Sequence, residues 1–190
     1  MTFGALRLAL RNFALRFRPY PEDQAAQVLA VHDGDTITVT SLGVPFKVRL
    51  CGIDAPELAQ KPTGPEARVA LCGLLGIDPN ASRPDPVEVN LIFDRRLKEK
   101  WGRTLAWVEC GGIIVNYSLV ARGFAFAYLL KPNLRFADQI RTAENWAKDQ
   151  KMGVWDPALG PITFPWDWRE SHPFHPRFTD PRRARVDLRL

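Results

Sequence analysis

The sequence predicts an α+β fold in which helices pack on a small closed antiparallel barrel. Short segments with alternating apolar and polar residues occupy much of the first half of the chain and are typical of strands. Segments with helical spacing lie between and after them, so both element types belong to one domain. Apolar residues make up 46% of the 190 residues, which is enough to fill a core.

The predicted strands begin with an alternating segment over residues 27–31. Two further strands follow at 36–40 and 46–50, and a turn at Ser41-Leu42-Gly43 joins them as a hairpin. The remaining predicted strands cover residues 87–93, 104–108 and 124–128.

Three helices are predicted. The first covers residues 64–75, because Gly64-Pro65-Glu66 places a proline at the first helical position and an acid in the first turn. The second covers 115–122 and ends at Gly123. The third and longest runs from 136 to about 151, with an inner stripe of Phe136, Ile140, Ala143 and Ala147.

Composition divides the chain into three parts. Residues 1–22 form a basic amphipathic segment, residues 23–156 form the domain, and residues 157–190 form an extension rich in proline and aromatic residues. The extension has no periodicity, and it either packs across the domain surface or extends as polyproline.

The N-terminal segment has several interpretations. Residues 1–20 contain four arginines and no acid, which is compatible with a targeting helix, a helix on an anionic membrane surface, or a loosely ordered arm. Arginines interrupt its apolar residues, so a secretory signal is a poor match. No apolar run of about 18 residues occurs, so no transmembrane helix is predicted. The compartment stays undetermined.

Charge and cysteine content limit the function classes. The net charge is +5, but the excess lies at the two ends and the body is neutral, so bulk charge does not predict nucleic-acid binding. The three cysteines are odd in number and widely spaced, which predicts neither a disulfide framework nor a zinc site.

The stretch from His32 to Glu57 carries the candidate chemistry. Its hairpin returns the chain to its starting end, and Asp54 and Glu57 are expected on the loop that follows. Asp35, Arg49, Asp54 and Glu57 can therefore converge. A hard divalent cation such as Ca²⁺ or Mg²⁺ would relieve the repulsion among three carboxylates. An arginine beside such a cation is suited to gripping a phosphate. Taken alone, Asp33-Gly34-Asp35 is also compatible with a simple hairpin turn.

These residues belong to a pattern that resembles the staphylococcal nuclease (thermonuclease-like) family over about residues 27–155. The resemblance implies an OB-type five-stranded barrel with about three helices. Its motifs follow the family's order: Asp33-Gly34-Asp35-Thr36, Val48-Arg49-Leu50, Gly52-Ile53-Asp54-Ala55-Pro56-Glu57, Gly64-Pro65-Glu66-Ala67, Lys100-Trp101-Gly102-Arg103, Val115-Asn116, Leu119-Val120-Ala121-Arg122-Gly123 and Lys131-Pro132-Asn133.

The resemblance implies a Ca²⁺-dependent hydrolase that cuts phosphodiester bonds of DNA and RNA. Asp35 and Asp54 are then the metal carboxylates, and the main-chain carbonyl of Ala55 is a further ligand. Glu57 is the residue that orients or deprotonates the attacking water. Arg49 and Arg103 are the catalytic arginines that hold the phosphate.

The resemblance also implies a nucleotide pocket formed by Lys100, Trp101 and Tyr128. Leu130 stands where the best-known member has a second pocket tyrosine, and the loop between Glu57 and Gly64 is shorter, so base preference and substrate access are open. A monomer is expected.

Two alternatives to the enzyme remain. The first is a catalytically silent module of the same fold that binds nucleic acid or protein. Such a module would be expected to lose one or more of the metal-binding and catalytic side chains, but this chain keeps all five: Asp35, Arg49, Asp54, Glu57 and Arg103. The second is an OB-fold nucleic-acid binder without chemistry, which the neutral body disfavours.

Overall fold

The computed structural model describes residues 20–81 and 85–173. The predictions for residues 1–19 and for the end of the C-terminal extension lie outside these ranges. The strands are β1 (Gln24–Val31), β2 (Thr36–Ser41), β3 (Val44–Leu50), β4 (Ile53–Asp54), β5 (Val87–Ile92), β6 (Thr104–Cys110), β7 (Ile113–Ile114) and β8 (Phe126–Ala127). The α-helices are α1 (Thr63–Leu74), α2 (Val115–Ala121), α3 (Ala137–Asp149) and α4 (Pro165–Ser171), with two 3-10 turns at Gly153–Trp155 and Pro157–Leu159.

The predicted α+β barrel of the OB type is confirmed, with one difference in how it closes. The barrel strands follow the order β3-β2-β1-β5-β6, and each neighbouring pair is antiparallel. The closing pair, β3 and β6, is parallel, with Val48 opposite Thr104 and Leu50 opposite Ala106. Five strands that alternate in direction leave the first and the last pointing the same way. An odd-stranded barrel therefore cannot close by antiparallel pairing alone.

The core lies inside this barrel and beneath its helices. Val28, Ile37, Leu91 and Trp107 are fully buried from different strands. The inner stripe predicted for α3 is confirmed, because its three members within the helix are buried and Phe136, just before it, packs edge-on against Trp107 with ring centroids 5.2 Å apart. Burying this apolar surface is the main force that holds the helices on the barrel.

Two local predictions are corrected. Asp54 was expected on a loop but lies in β4, where it pairs with Phe126 of β8. The strand predicted over 124–128 is limited to Phe126–Ala127, since its partner β4 is only two residues long. The C-terminal extension also contains α4, which was not predicted. Within residues 20–81 and 85–173, no helix is long and apolar enough to cross a bilayer.

Candidate active site

The β2–β3 hairpin brings Asp35 and Arg49 together as predicted. Thr36 is opposite Arg49 in the ladder, and the amide of Leu50 donates to the carbonyl of Asp35 at 2.8 Å. Two residues distant in sequence thus share one end of the barrel. The loop after β3 then turns back into β4, which carries Asp54.

Close packing holds the Asp33-Gly34-Asp35 turn against the segment that follows β4. A methyl group at Gly34 would lie 2.6 Å from Cβ of Ala55 and 2.7 Å from Cβ of Ala67 on α1. Only glycine permits this approach. At the same place, the amide of Ala55 donates to Oδ2 of Asp35 at 2.8 Å. The turn, the Ala55 segment and α1 therefore form one packed unit.

Arg49 binds the two aspartates to each other. Its Nη2 lies 2.9 Å from Oδ1 of Asp54 and 3.1 Å from Oδ2 of Asp35. Its Nη1 donates to the carbonyls of Leu50 and Ile53, both at 2.8 Å. Burial, the largest single influence, would lower the pKa of Arg49, but the surrounding carboxylates, chiefly Asp35 and Asp54, together outweigh it and raise that pKa.

Among the candidate site carboxylates Asp35, Asp54 and Glu57, Asp54 is the most deeply buried, with 2% of its surface exposed. Burial raises its pKa, and the guanidinium groups of Arg169 and Arg49 oppose that rise. Burial likewise raises the pKa of Glu57, against a lowering by Arg169. The amide of Glu57 donates to Oε1 of Gln60 at 2.7 Å, which fixes the backbone that carries the carboxylate.

Arg169 of α4 enters the site and was not predicted. Its Nη2 lies 2.5 Å from Oδ2 of Asp54, and its Nη1 lies 3.1 Å from both Oδ1 of Asp54 and Oε1 of Glu57. One guanidinium thus bridges two candidate site carboxylates. The sequence feature that could have indicated this helix is Pro165, because proline favours the first position of a helix. A helix that begins there includes Arg169.

Arg103 faces the site through Thr36. It forms a bidentate ion pair with Glu99 and donates from Nη1 to Oγ1 of Thr36 at 3.2 Å. Thr36 Oγ1 in turn donates to Oδ1 of Asp35 at 3.0 Å. Arg103 therefore lies one hydroxyl group away from Asp35, on a part of the chain that only the fold brings there.

The three predicted pocket residues lie in two places. Trp101 is exposed beside Arg103, whose Cζ lies 6.0 Å from its ring centroid, and Nζ of Lys100 lies 4.2 Å over the same ring. Tyr128 stacks on Trp166 of α4, with ring centroids 5.8 Å apart and planes 25° apart. Lys100 and Trp101 thus flank Arg103, whereas Tyr128 contacts the C-terminal segment.

The donor set fits a hard cation. Asp35 and Asp54 approach the same nitrogen of Arg49, so carboxylate oxygens of these two residues are near each other. No group of three or more His, Cys, Asp or Glu side chains suited to a metal occurs in the part of the chain that the structure describes. The carboxylates of Asp35 and Asp54 are oxygen donors of the type that Ca²⁺ accepts.

Comparisons with known proteins place these residues in context. Residues 47–157 match the family model described as staphylococcal nuclease homologue. A thermonuclease of Staphylococcus intermedius is 34% identical over 168 residues, which cover 82% of this chain and 98% of the relative. A thermonuclease of Staphylococcus hyicus is 33% identical over 133 residues, 70% of this chain and 76% of the relative. An uncharacterized protein of Bacillus anthracis is 38% identical over 141 residues, which cover 70% of this chain but only 62% of the relative.

Proposed function

The chain belongs to the staphylococcal nuclease homologue family, and from that premise we propose that it is a Ca²⁺-dependent nuclease that hydrolyses phosphodiester bonds of DNA, RNA or both. The observation that carries the proposal is the approach of Asp35 and Asp54 to one guanidinium at 3.1 and 2.9 Å, with Glu57 joined to Asp54 through Arg169. Such a concentration of partly buried acids beside arginines is unfavourable for stability alone and is typical of functional sites.

In this proposal Asp35, Asp54 and the carbonyl of Ala55 hold the cation. When bound, a hard divalent cation supplies positive charge that polarises the phosphate and orients the attacking water. The contribution of the chain is to keep the two aspartates near each other, through Arg49 and through the bond from the amide of Ala55 to Asp35.

Glu57 accepts the proton of the attacking water. Its carboxylate is partly buried, and burial raises its pKa, which makes it a stronger base than a fully exposed glutamate. Gln60 fixes its backbone at 2.7 Å, so the base is carried on an ordered segment rather than on a free loop. Order at this position matters because proton transfer requires hydrogen-bond distance.

Arg103 and Arg49 have different roles. Arg103 stabilises the negative charge that develops on the phosphate, and within the described residues each of its terminal nitrogens makes a single hydrogen bond, which leaves hydrogens to donate to an oxyanion. The terminal nitrogens of Arg49 already meet two carboxylates and two carbonyls. Arg49 therefore positions the aspartates and reaches a phosphate only by exchanging one of these contacts.

Nucleotide binding is assigned to Lys100, Trp101 and Tyr128. Trp101 and Lys100 offer a ring face and a positive charge beside Arg103, which suits a nucleotide. Tyr128 offers a second ring. The protein acts as a monomer, with residues 23–156 as the nuclease domain and residues 1–20 as a segment that attaches to anionic membrane surfaces.

Digestion of single-stranded DNA, duplex DNA and RNA tests the proposal. The purified protein should release acid-soluble nucleotides with Ca²⁺, and Glu57→Gln should reduce the rate by about 100-fold or more, as expected for a lost general base. Glu66→Gln, which makes the same change on an exposed position of α1, is the control and should retain the parental rate. Nucleic-acid binding without any release of nucleotides would instead favour the silent module.

A further inference from the structure

The site contains an internal cation in the form of Arg169. We propose that Arg169 competes with the divalent cation for Asp54, so that cation binding requires its guanidinium to withdraw from that carboxylate. The inference rests on the proposed function, because it takes Asp54 as a ligand. It differs from that function in concerning how readily the site accepts a cation, rather than what the cation then does.

The first observation is that both carboxylate oxygens of Asp54 already contact guanidinium groups. Its Oδ1 meets Nη2 of Arg49 at 2.9 Å and Nη1 of Arg169 at 3.1 Å, while its Oδ2 meets Nη2 of Arg169 at 2.5 Å. Only 2% of the residue is exposed, so no open side of the carboxylate remains for another ligand. A Ca²⁺–oxygen bond is about 2.3–2.6 Å long. A cation on Oδ2 would thus lie in the place that Arg169 Nη2 occupies.

The second observation is the balance of charge. Asp35, Asp54 and Glu57 provide three negative charges, which Arg49 and Arg169 largely neutralise through direct contacts. A divalent cation brought into this site with Arg169 in place would meet two guanidinium groups within a few ångströms. Like charges at that distance and with this little solvent repel strongly. Withdrawal of Arg169 restores the negative charge that attracts the cation.

The third observation is that the segment has an anchor separate from Arg169. Phe164 packs on Phe126 and Trp166, with ring centroids 4.9 and 4.6 Å away. Nε2 of Gln60 donates to the carbonyl of Thr163 at 3.2 Å. These contacts lie at the start of α4, whereas Arg169 lies near its end. The long side chain of Arg169 can therefore leave the carboxylates while the aromatic anchor stays docked.

The test is calorimetric titration of the purified full chain with CaCl₂. Arg169→Gln should bind Ca²⁺ at least about tenfold more tightly than the parent, because one neighbouring positive charge is lost. Arg141→Gln is the matched control, since Arg141 makes an exposed ion pair with Asp138 on α3 and its loss changes the net charge equally. The control should stay within about twofold of the parent, as expected for a screened distant charge.

Each outcome decides between the alternatives. An equal or weaker Ca²⁺ affinity in Arg169→Gln than in the parent would overturn the inference and make Arg169 a support for the ligands instead of a competitor. That result would leave the proposed function standing. The absence of Ca²⁺ binding in both proteins would overturn the proposed role of Asp54 together with the inference.

A measurement on the unmodified protein avoids dependence on how the variant folds. The side-chain Nε–H resonance of Arg169, assigned by its loss in Arg169→Lys, should move toward the position of solvent-exposed arginines as Ca²⁺ is added. The free Ca²⁺ concentration at the midpoint of this change in chemical shift should match the calorimetric Kd. A resonance that keeps its position while Ca²⁺ binds would show that the guanidinium stays in place, and would overturn the inference.

Discussion

Gly64 contacts the backbone of Glu57 so closely that its replacement by alanine should displace Glu57 and slow hydrolysis. A methyl group at Gly64 would lie 1.8 Å from the carbonyl oxygen of Glu57 and 2.6 Å from its carbonyl carbon. Real Cβ contacts are essentially never shorter than 3.0 Å, so the two backbones must separate by at least 1.2 Å. The obstructing atoms are backbone, and no side-chain rotation can relieve the clash.

The displacement sets the expected magnitude. A misplacement of about 1 Å at a catalytic group costs on the order of 100-fold in rate. Overpacking of this kind also costs about 1–3 kcal/mol in the free energy of unfolding. Gly64→Ala should therefore reduce the rate of DNA hydrolysis by about 100-fold under conditions in which the variant is fully folded.

The assay is release of acid-soluble nucleotides at saturating Ca²⁺, with the folded fraction of each protein measured by urea denaturation. Gly73→Ala is the control in the same helix, because its methyl group meets nothing within 4 Å. That control should keep the parental rate and gain about 0.5–1 kcal/mol in stability, since alanine is favoured over glycine in a helix. Parental rate and stability in Gly64→Ala would refute the assigned role of this close contact.

Three further predictions follow from other parts of the chain. Arg103→Lys should lower the rate about 100-fold, as for a lost electrophilic donor, with Ca²⁺ affinity unchanged; an unaltered rate would remove Arg103 from the mechanism. Burial raises the pKa of the Cys51 thiol to about 12, so iodoacetamide at pH 8 should alkylate the half-buried Cys110 but not Cys51 in the folded protein, as mass spectrometry can check. Removal of residues 1–19 should leave hydrolysis unchanged and weaken sedimentation with anionic vesicles, whereas a failure to fold would assign that segment a structural role.

The aspartates and Arg49 could be placed from sequence because their geometry is local. A hairpin between 36 and 50 fixes which ends of its strands meet, and Thr36 is indeed opposite Arg49. Asp54 and Glu57 follow within a few residues, so little freedom remains. Arg103 is different, since its side chain reaches Thr36 across 67 positions of sequence, and only the resemblance to a known family indicated its role.

Arg169 could not be placed in this way. It lies 115 residues after Asp54 and 112 after Glu57. Its segment has a proline-rich composition without helical periodicity, which is compatible both with docking on the domain and with an extended polyproline conformation. Docking is decided by contacts of Phe164 and Trp166 with Phe126 and Tyr128. A strand over these partners is predictable from sequence, but which segment packs on its rings is set by the three-dimensional fold. The parallel closure of the barrel, by contrast, follows from its odd number of strands.

Recruitment of a hard cation by the oxygens of Asp35, Asp54 and Ala55 can be tested by measuring the rate of single-stranded DNA hydrolysis against free Ca²⁺ concentration, in the parent and in Asp54→Asn. The parental rate should vanish in excess chelator and saturate with Ca²⁺. Asp54→Asn should need at least about tenfold more Ca²⁺ for half-saturation, since a charged ligand is lost. A rate that is indifferent to chelator, or the same half-saturation in both proteins, would contradict this role of the three residues.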